Sequence, residues 1–252
     1  MHSTTIPGLS LVTLLLAIVL PVGSTYASSE QADAVGQWLS DRAMRAAEKD
    51  EAQGAARSLE EGVYRLIPLA ELDAPEPVKE YFREQFQRSR SGVVRVPKGT
   101  IPSQQALIMA LPKVWRSDAI LRQRLPNPPS DLQKTLLGAA ETIGMEPTGT
   151  IEGLKSSGLS RFYRVNDIGI VEFNEKNFRV PGGVIEAFVE AQNTDINGTP
   201  GQIEMEVDGQ GRSRATLVWA GKDKVYTLTA TGDGDVERKA IVLQQIAAAV
   251  RD

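Results

Sequence analysis

The chain has 252 residues, 41% hydrophobic and 24% charged, with 28 Lys plus Arg against 32 Asp plus Glu and a formal net charge of −4. That composition belongs to a folded globular protein and excludes a disordered, collagen-like or polytopic membrane chain. The mild negative charge gives no general attraction to nucleic acid. With no Cys and a single His, His2, most catalytic and metal-binding machinery has no residues to work with.

Residues 9–20 are apolar apart from Ser10 and Thr13, and they lead into Pro21, Gly23 and small residues. The run is shorter than the roughly 20 residues a helix needs to span a bilayer, but it fits the apolar region of a secretory signal. A signal peptide over residues 1–27 is expected, cut after Ala27, with Ser24 as the alternative end and an uncleaved anchor as the alternative reading. No Cys follows the run, so lipid attachment is excluded. Removing these residues takes away His2 and no charged residue. The expected location is periplasmic or secreted. Export permits disulfides, yet none can form, and a chain of this length buries enough apolar surface without them.

The expected fold class is α+β: a mainly helical domain over 28–147, a linker over 148–158, and an antiparallel sheet with a C-terminal helix over 159–252. Residues 32–60 suit an Ala-rich helix with Val35, Trp38, Leu39, Ala43 and Ala46 on one side. Asp73 and Pro75 read as a second helix start, followed by Val78, Phe82 and Phe86 at intervals of four. GVVRV is a short strand. Ser103 caps a third helix with the stripe Leu107, Leu111, Val114, Leu121 and Leu125 and a kink or break at Pro112. Ser130 opens a fourth, with Leu132, Leu136, Ala139 and Ile143 inward and Gly144 as the stop. The Gly, Ser and Pro content of EPTGTIEGLKSSGLS marks the linker.

RFYRV, GIVEF and GVIEAFVEA are read as strands of one antiparallel sheet of five or six strands. Ile203, Met205 and Val207 alternate with acidic residues, and Ala215, Leu217 and Trp219 alternate with Arg214, Thr216 and Val218. A loop Gly209-Gln210-Gly211 places both apolar sets on one face only if Glu206 lies opposite Arg214 and Asp208 opposite Arg212. Each such charge pair adds roughly 0.2 to 1 kcal/mol. By the same arithmetic Trp219 faces Tyr226 and Leu217 faces Leu228. Asp233 or Asp235 caps a last helix whose stripe, Val236, Ala240, Leu243, Ala247 and Val250, covers the inner face of the sheet.

The order INGTPG, an alternating strand pair, KVYTLTATG and an amphipathic helix ending IAAAVRD resembles the C-terminal part of PsbP-like α+β modules, which also occur in envelope proteins; the resemblance covers about residues 184–252. It implies a sheet packed by a terminal helix and a binding or accessory role, and it carries over no functional residue.

Without His or Cys in the processed chain, Ser-His-Asp and Cys-His nucleophile systems, typical zinc sites and c-type haem attachment are excluded. Phosphate-loop, dinucleotide and S-x-x-K signatures are missing, and no cofactor or metal is expected. NTDINGTPGQIE places Asn193, Asp195, Asn197, Gly198 and Glu204 at calcium-loop spacing. Against calcium stand Asn at its first position, Pro200 and strand-like flanks, so a polar hairpin is the preferred reading. Two carboxylates suffice for glycoside hydrolysis, which makes Glu172, Glu186 and Glu190 candidates, the last two four apart on one strand. Lys155 with Ser156 and Ser157 reads as linker before it reads as an activated serine. Arg83, Arg88, Arg90, Arg95 and Lys98 against Glu84 form a basic stretch, read as a solvated helix end or a contact for an anionic partner. Trp38, Trp115 and Trp219 fall on apolar stripes and read as core. The expected function is non-enzymatic binding of a protein or envelope component, with a carboxylate glycan hydrolase or a carrier of a lipophilic ligand as alternatives.

Overall fold

The computed structural model describes residues 17–18, 29–53, 62–111, 125, 128–152, 155–179 and 184–251. The expected signal peptide lies outside the described residues apart from Ala17–Ile18, a two-residue strand β1. Helix α1 (Ser29–Gln53) buries Val35 and Trp38, whereas Ala43, expected on the same stripe, is exposed. Strand β2 (Val63–Ile67) follows, then helix α2 (Glu76–Arg90). Pro77 in its first turn gives up an N–H that no helical bond would use. Asp73 is not the cap; its carbonyl accepts the Trp38 indole N–H at 2.9 Å. Val78, Phe82 and Phe86 are all buried, as their spacing predicts, and Phe82 meets Trp38 edge-on with ring centroids 6.3 Å apart.

After strand β3 (Val93–Val96), helix α3 (Gln104–Ala110) is capped by Ser103, whose side chain accepts the Ala106 N–H. It ends at the break expected at Pro112. Leu111 is extended at ψ 134°, the conformation that a following proline imposes, so the helix stops before Pro112. Val114, Trp115 and Leu121 lie outside the described residues. The predicted fourth helix is also absent. Leu136–Ala139 make one 3-10 turn, and strand β4 (Glu141–Glu152) takes over where a helix over Ile143 and Gly144 was expected. Gly144 is a packing residue in that strand: a Cβ there would lie 3.5 Å from Leu111 and 3.6 Å from Phe162.

Residues 148–158, read from composition as a linker, carry the ends of β4 and of β5 (Lys155–Val165), paired as an antiparallel hairpin. Their small side chains reflect close approach. A Cβ on Gly158 would meet the Glu175 carbonyl and Thr148 Oγ1 at 2.7 Å, and Ser156 Oγ donates to the Thr148 and Gly158 carbonyls.

The remaining strands are β6 (Gly169–Asn177), β7 (Val184–Phe188), β8 (Thr194–Ile196), β9 (Thr199–Asp208), β10 (Arg212–Ala220) and β11 (Lys224–Asp233). Helix α4 (Val236–Ala249) closes the fold, with Asp235 accepting the Arg238 N–H as its cap. The large sheet runs β3-β9-β10-β11-β6-β5-β4, with β8 beside β9 on the same edge as β3. It is antiparallel except for β3 on β9. Arg214 lies opposite Glu206, Trp219 opposite Tyr226 and Leu217 opposite Leu228, as the loop arithmetic requires. At the far edge, Pro147 and two register shifts in β4 leave a poor template for further pairing.

On the inner face of this sheet, Leu243, Ile246 and Ala247 of α4 meet Leu217, Leu228 and Phe173, all nearly or wholly buried. GVIEAFVEA departs from its expected place. Its strand β7 belongs to a separate small parallel sheet between β1 and β2. One side of that sheet, through Tyr64 and Ile185, packs on Phe178, Ala220 and Val225 at one end of the large sheet's outer face. The other side gives Ile67 and Phe188 to the helical cluster of α1 and α2. The chain is therefore layered as helices, small sheet, large sheet and terminal helix.

Candidate functional site

Alternation sends Glu204 and Glu206 of β9, Arg214 and Thr216 of β10, Thr227 and Thr229 of β11, Glu172, Asn174 and Lys176 of β6, and Ser160 of β5 to the outer face. An outer face is expected to be solvated, yet Glu206 and Asp208 are only 5% and 4% exposed, because β3 pairs beside β9 and α2 packs on both. Glu206 meets Arg214 at 2.6 Å. Asp208 accepts the N–H groups of Gln210, Arg212 and Gly99; although burial pushes its carboxyl up, these bonds and the Arg212 guanidinium hold it below its ordinary value. Both carboxylates hold the sheet's corner together.

Along β6 the groups are less committed. Glu172 is half-buried and accepts from Ser160 Oγ at 2.9 Å; burial pushes its carboxyl up, the Ser160 bond pulls it down, and nearby Glu146 raises it further. Asn174 donates to Ser160 Oγ at 2.6 Å and to Thr148 Oγ1 at 3.3 Å. Burial pushes the Lys176 ammonium down. A carboxyl whose folded pKa is raised binds its proton more tightly folded than unfolded. Its contribution to stability therefore declines as pH rises from the ordinary value of 4.5 through the folded value. Glu172→Gln is expected to be more stable than the parent at pH 7 and equal to it at pH 3, read as denaturation midpoints at the two pH values.

The three carboxylates singled out by sequence are not brought together. Glu186, on the small sheet, is bound by Arg42 at 2.7 Å. Glu190 lies past the end of β7, in a 3-10 turn, and accepts the Leu69 N–H through both oxygens. Only Glu172 keeps spare capacity. Ser156 and Ser157 are buried and Lys155 is exposed. The basic stretch is divided among α2, β3 and the turn after it, with Arg83 taken by Glu76 and Glu80. Trp38 and Trp219 are core residues.

The calcium-like spacing has a different purpose. Asn197 and Gly198, both at positive φ (54° and 85°), form the tight turn joining β8 to β9. Asn197 Nδ2 caps the end of α4 through the Ala248 carbonyl. Asn193 fills the gap between β8 and β3 on the edge of β9: its Oδ1 accepts the Ile203 N–H at 2.7 Å and its Nδ2 donates to the Ile203 carbonyl at 2.9 Å. The side-chain amide thus replaces a missing strand residue. Glu204, the would-be twelfth ligand, is buried on the outer face and bound by Gln202. Asn193→Asp, which improves the match to a calcium loop, removes the donor and sets a carboxylate against a carbonyl. Because Asn193 is exposed, the substitution is expected to cost about 0.5–1.5 kcal/mol, with no recovery of the melting temperature in millimolar calcium. A rise of several degrees on adding calcium would contradict this assignment. Among the described residues no group of three or more His, Cys, Asp or Glu is placed to hold a metal ion.

Two features were missed in the sequence. The first is a buried ion cluster on the inner face. Ser130 donates through N–H and Oγ to Glu175 Oε2; Arg161 donates to Glu175 Oε1 at 2.7 Å; Lys224 donates to Glu175 Oε2, Ser130 Oγ and the Pro128 carbonyl at 2.9–3.0 Å. The Ser130–Lys224 contact has the outline of a serine–lysine couple. With all three ammonium hydrogens donated, however, Lys224 has no lone pair to take the Ser130 proton. The signal was available: Glu175 shares the parity of Val171 and Phe173, and Lys224 that of Tyr226 and Leu228, so both charges fall on the apolar face.

The second is a cleft of about 540 Å³ between α1 and the turn before α2, lined by Ala34, Gln37, Trp38, Asp41, Arg45, Asp73, Ala74 and Pro75. Among the described residues the side chains of Asp41, Arg45 and Asp73 have no ion-pair partner. Nothing in the sequence marks it, because it arises where two segments 35 residues apart converge on the Trp38–Asp73 bond. Among the described residues no helix is long and apolar enough to cross a membrane.

Compared with protein-family models, curated proteins and solved structures, the chain matches none.

Proposed function

We propose that this is an exported envelope protein that works by binding a protein or an envelope component, without a chemical step. The observation that carries the reading is the cleft over Trp38. Its volume of about 540 Å³ falls within the roughly 300–1,000 Å³ of ligand sites, and it is lined by Asp41, Arg45 and Asp73, whose side chains have no ion-pair partner among the described residues. The apolar run at residues 9–20 supports export. Supporting binding over catalysis, Glu186, Glu190 and the Ser130–Lys224 couple are each tied to structural partners. The accessory role that the PsbP-like resemblance implies agrees with this.

The test is crosslinking in envelope extract with the parent chain and with the charge-reversed double variant Asp41→Lys, Asp73→Lys. Both residues are exposed, so the fold tolerates the change. A partner held by the parent and lost by the variant is the expected result; recovery of both as unbound monomers would sink the proposal.

A second reading, glycan hydrolysis by carboxylates, draws on Glu172 and its neighbour Glu146. Glycan cleavage abolished by Glu172→Gln without loss of stability would favour it. A lipophilic carrier is the weaker reading, since Leu217, Leu228, Phe173 and Leu243 fill the space between sheet and α4 and the cleft sets Asp41, Arg45 and Asp73 beside its apolar residues.

A further inference from the structure

We propose that the end of the outer face where Lys176 and Tyr64 lie is a second binding site, for an anionic group carried on a hydroxylated body. Lys176 is half-buried, and among the described residues it has neither an ion-pair partner nor a hydrogen bond. The Tyr64 hydroxyl is in the same state. The two groups belong to one place. Tyr64 packs with Phe178, ring centroids 6.0 Å apart, and against the apolar cluster that Phe178 forms with Ile185, Ala220 and Val225. Phe178 follows Lys176 by two residues, just past the end of β6, and Val225 is the residue opposite Lys176 on β11. A half-enclosed ammonium without an anion is costly, and an anionic ligand removes that cost.

The surroundings define the rest of the ligand. On the other side of Lys176 lies Gly158, and Thr148 Oγ1 occupies the place a side chain there would take. Next along β6 comes Asn174, with Thr227 opposite it on β11 and the buried Ser160, already bonded to Asn174 and Glu172, opposite it on β5. The partly exposed Thr148, Asn174 and Thr227 match a scaffold that carries hydroxyls of its own. Glu172, four residues from Lys176 and thus about 13 Å away along the strand, repels a second negative group. The site therefore selects one anionic group at the Lys176 end and neutral hydroxyls toward Glu172. A sugar acid and a sugar phosphate share this chemistry.

The test uses the full chain with its lysines labelled by reductive methylation with ¹³C, titrated with glucuronate, glucose 1-phosphate, inorganic phosphate and glucose. The Lys176 signal is expected to shift saturably with glucuronate or glucose 1-phosphate, more weakly with inorganic phosphate, and not with glucose; the tighter of the first two identifies the anion. By titration calorimetry, which does not depend on the Lys176 signal, Lys176→Gln is expected to weaken binding about tenfold or more with a melting temperature no lower than the parent's, and Tyr64→Phe to weaken it less. If Lys176→Gln alters folding, Lys176→Arg, which keeps the charge, is expected to retain binding. No saturable shift with any anion, or equal affinity in Lys176→Gln, would overturn the proposal, as would binding of inorganic phosphate as tight as that of both sugars. Asp41→Lys, Asp73→Lys is expected to leave these titrations unchanged, which separates this site from the cleft.

Discussion

Glu175→Ala is expected to destabilise the protein by about 3–5 kcal/mol, the usual result of stranding a buried charge. Here two cations are stranded. The Glu175 side chain is 4% exposed, and it faces Arg161 through one oxygen and Lys224 through the other. Removing it also unties Ser130, whose N–H and Oγ both donate to it, and with Ser130 the segment that joins the helical half to β4. Burial of the cluster does not imply that its charges stabilise the fold. The triple variant Glu175→Leu, Arg161→Met, Lys224→Met is expected to recover most of the loss, because it removes every desolvated charge together. Urea midpoints at unchanged slope measure both effects. A loss under about 1 kcal/mol in Glu175→Ala would show that water reaches the cluster and that the segment at Ser130 is held by something else.

The same cluster shows where sequence reading ran out. The hairpin from β9 through β11 was legible to register because two independent constraints agreed: apolar parity, and opposite charges at Glu206 and Arg214. The α4 stripe and its Asp235 cap were legible because a helix carries its period and its start signal locally. The errors share a cause. Gly149 and Gly158 resemble linker residues in composition, yet small residues also occur where backbones meet, and only the partner strand tells the two apart. Leu132, Leu136 and Ile143 have helical spacing, but Leu136 falls in a single 3-10 turn and pairing of β4 with β5 claims the chain from Glu141 onward. The strand β7 was recognised and misplaced, since strand character does not name a partner. For the site, Glu172 was found as one carboxylate of three, while Lys176 and Tyr64 were not, because their shared place depends on how the small sheet rests on the large one.

That layering leads to the second large effect, Phe82→Ala. Phe82 is fully buried at the centre of the helical cluster, with ring centroids of Phe188, Tyr81, Phe86 and Trp38 at 5.0 to 6.3 Å. Truncating such a ring costs about 3–5 kcal/mol, in lost transfer energy and in the cavity left behind. The loss is expected to fall unevenly. The cluster around Phe82 contains residues of α1, α2 and β7, whereas the cluster under α4 is built from the large sheet and does not share them. Hydrogen exchange should therefore show α1 and α2 amides losing protection while those of β10, β11 and α4 keep it. Trp38 forms one wall of the cleft and rests on Phe82, so partner capture is expected to fail while the sheet still stands. The Lys176 site, on the large sheet's outer face but flanked by Tyr64 of the small one, should weaken only as far as β2 loosens. Uniform loss of protection would instead mean that both clusters unfold as one unit, and Phe82→Ala would then not separate the cleft from the sheet.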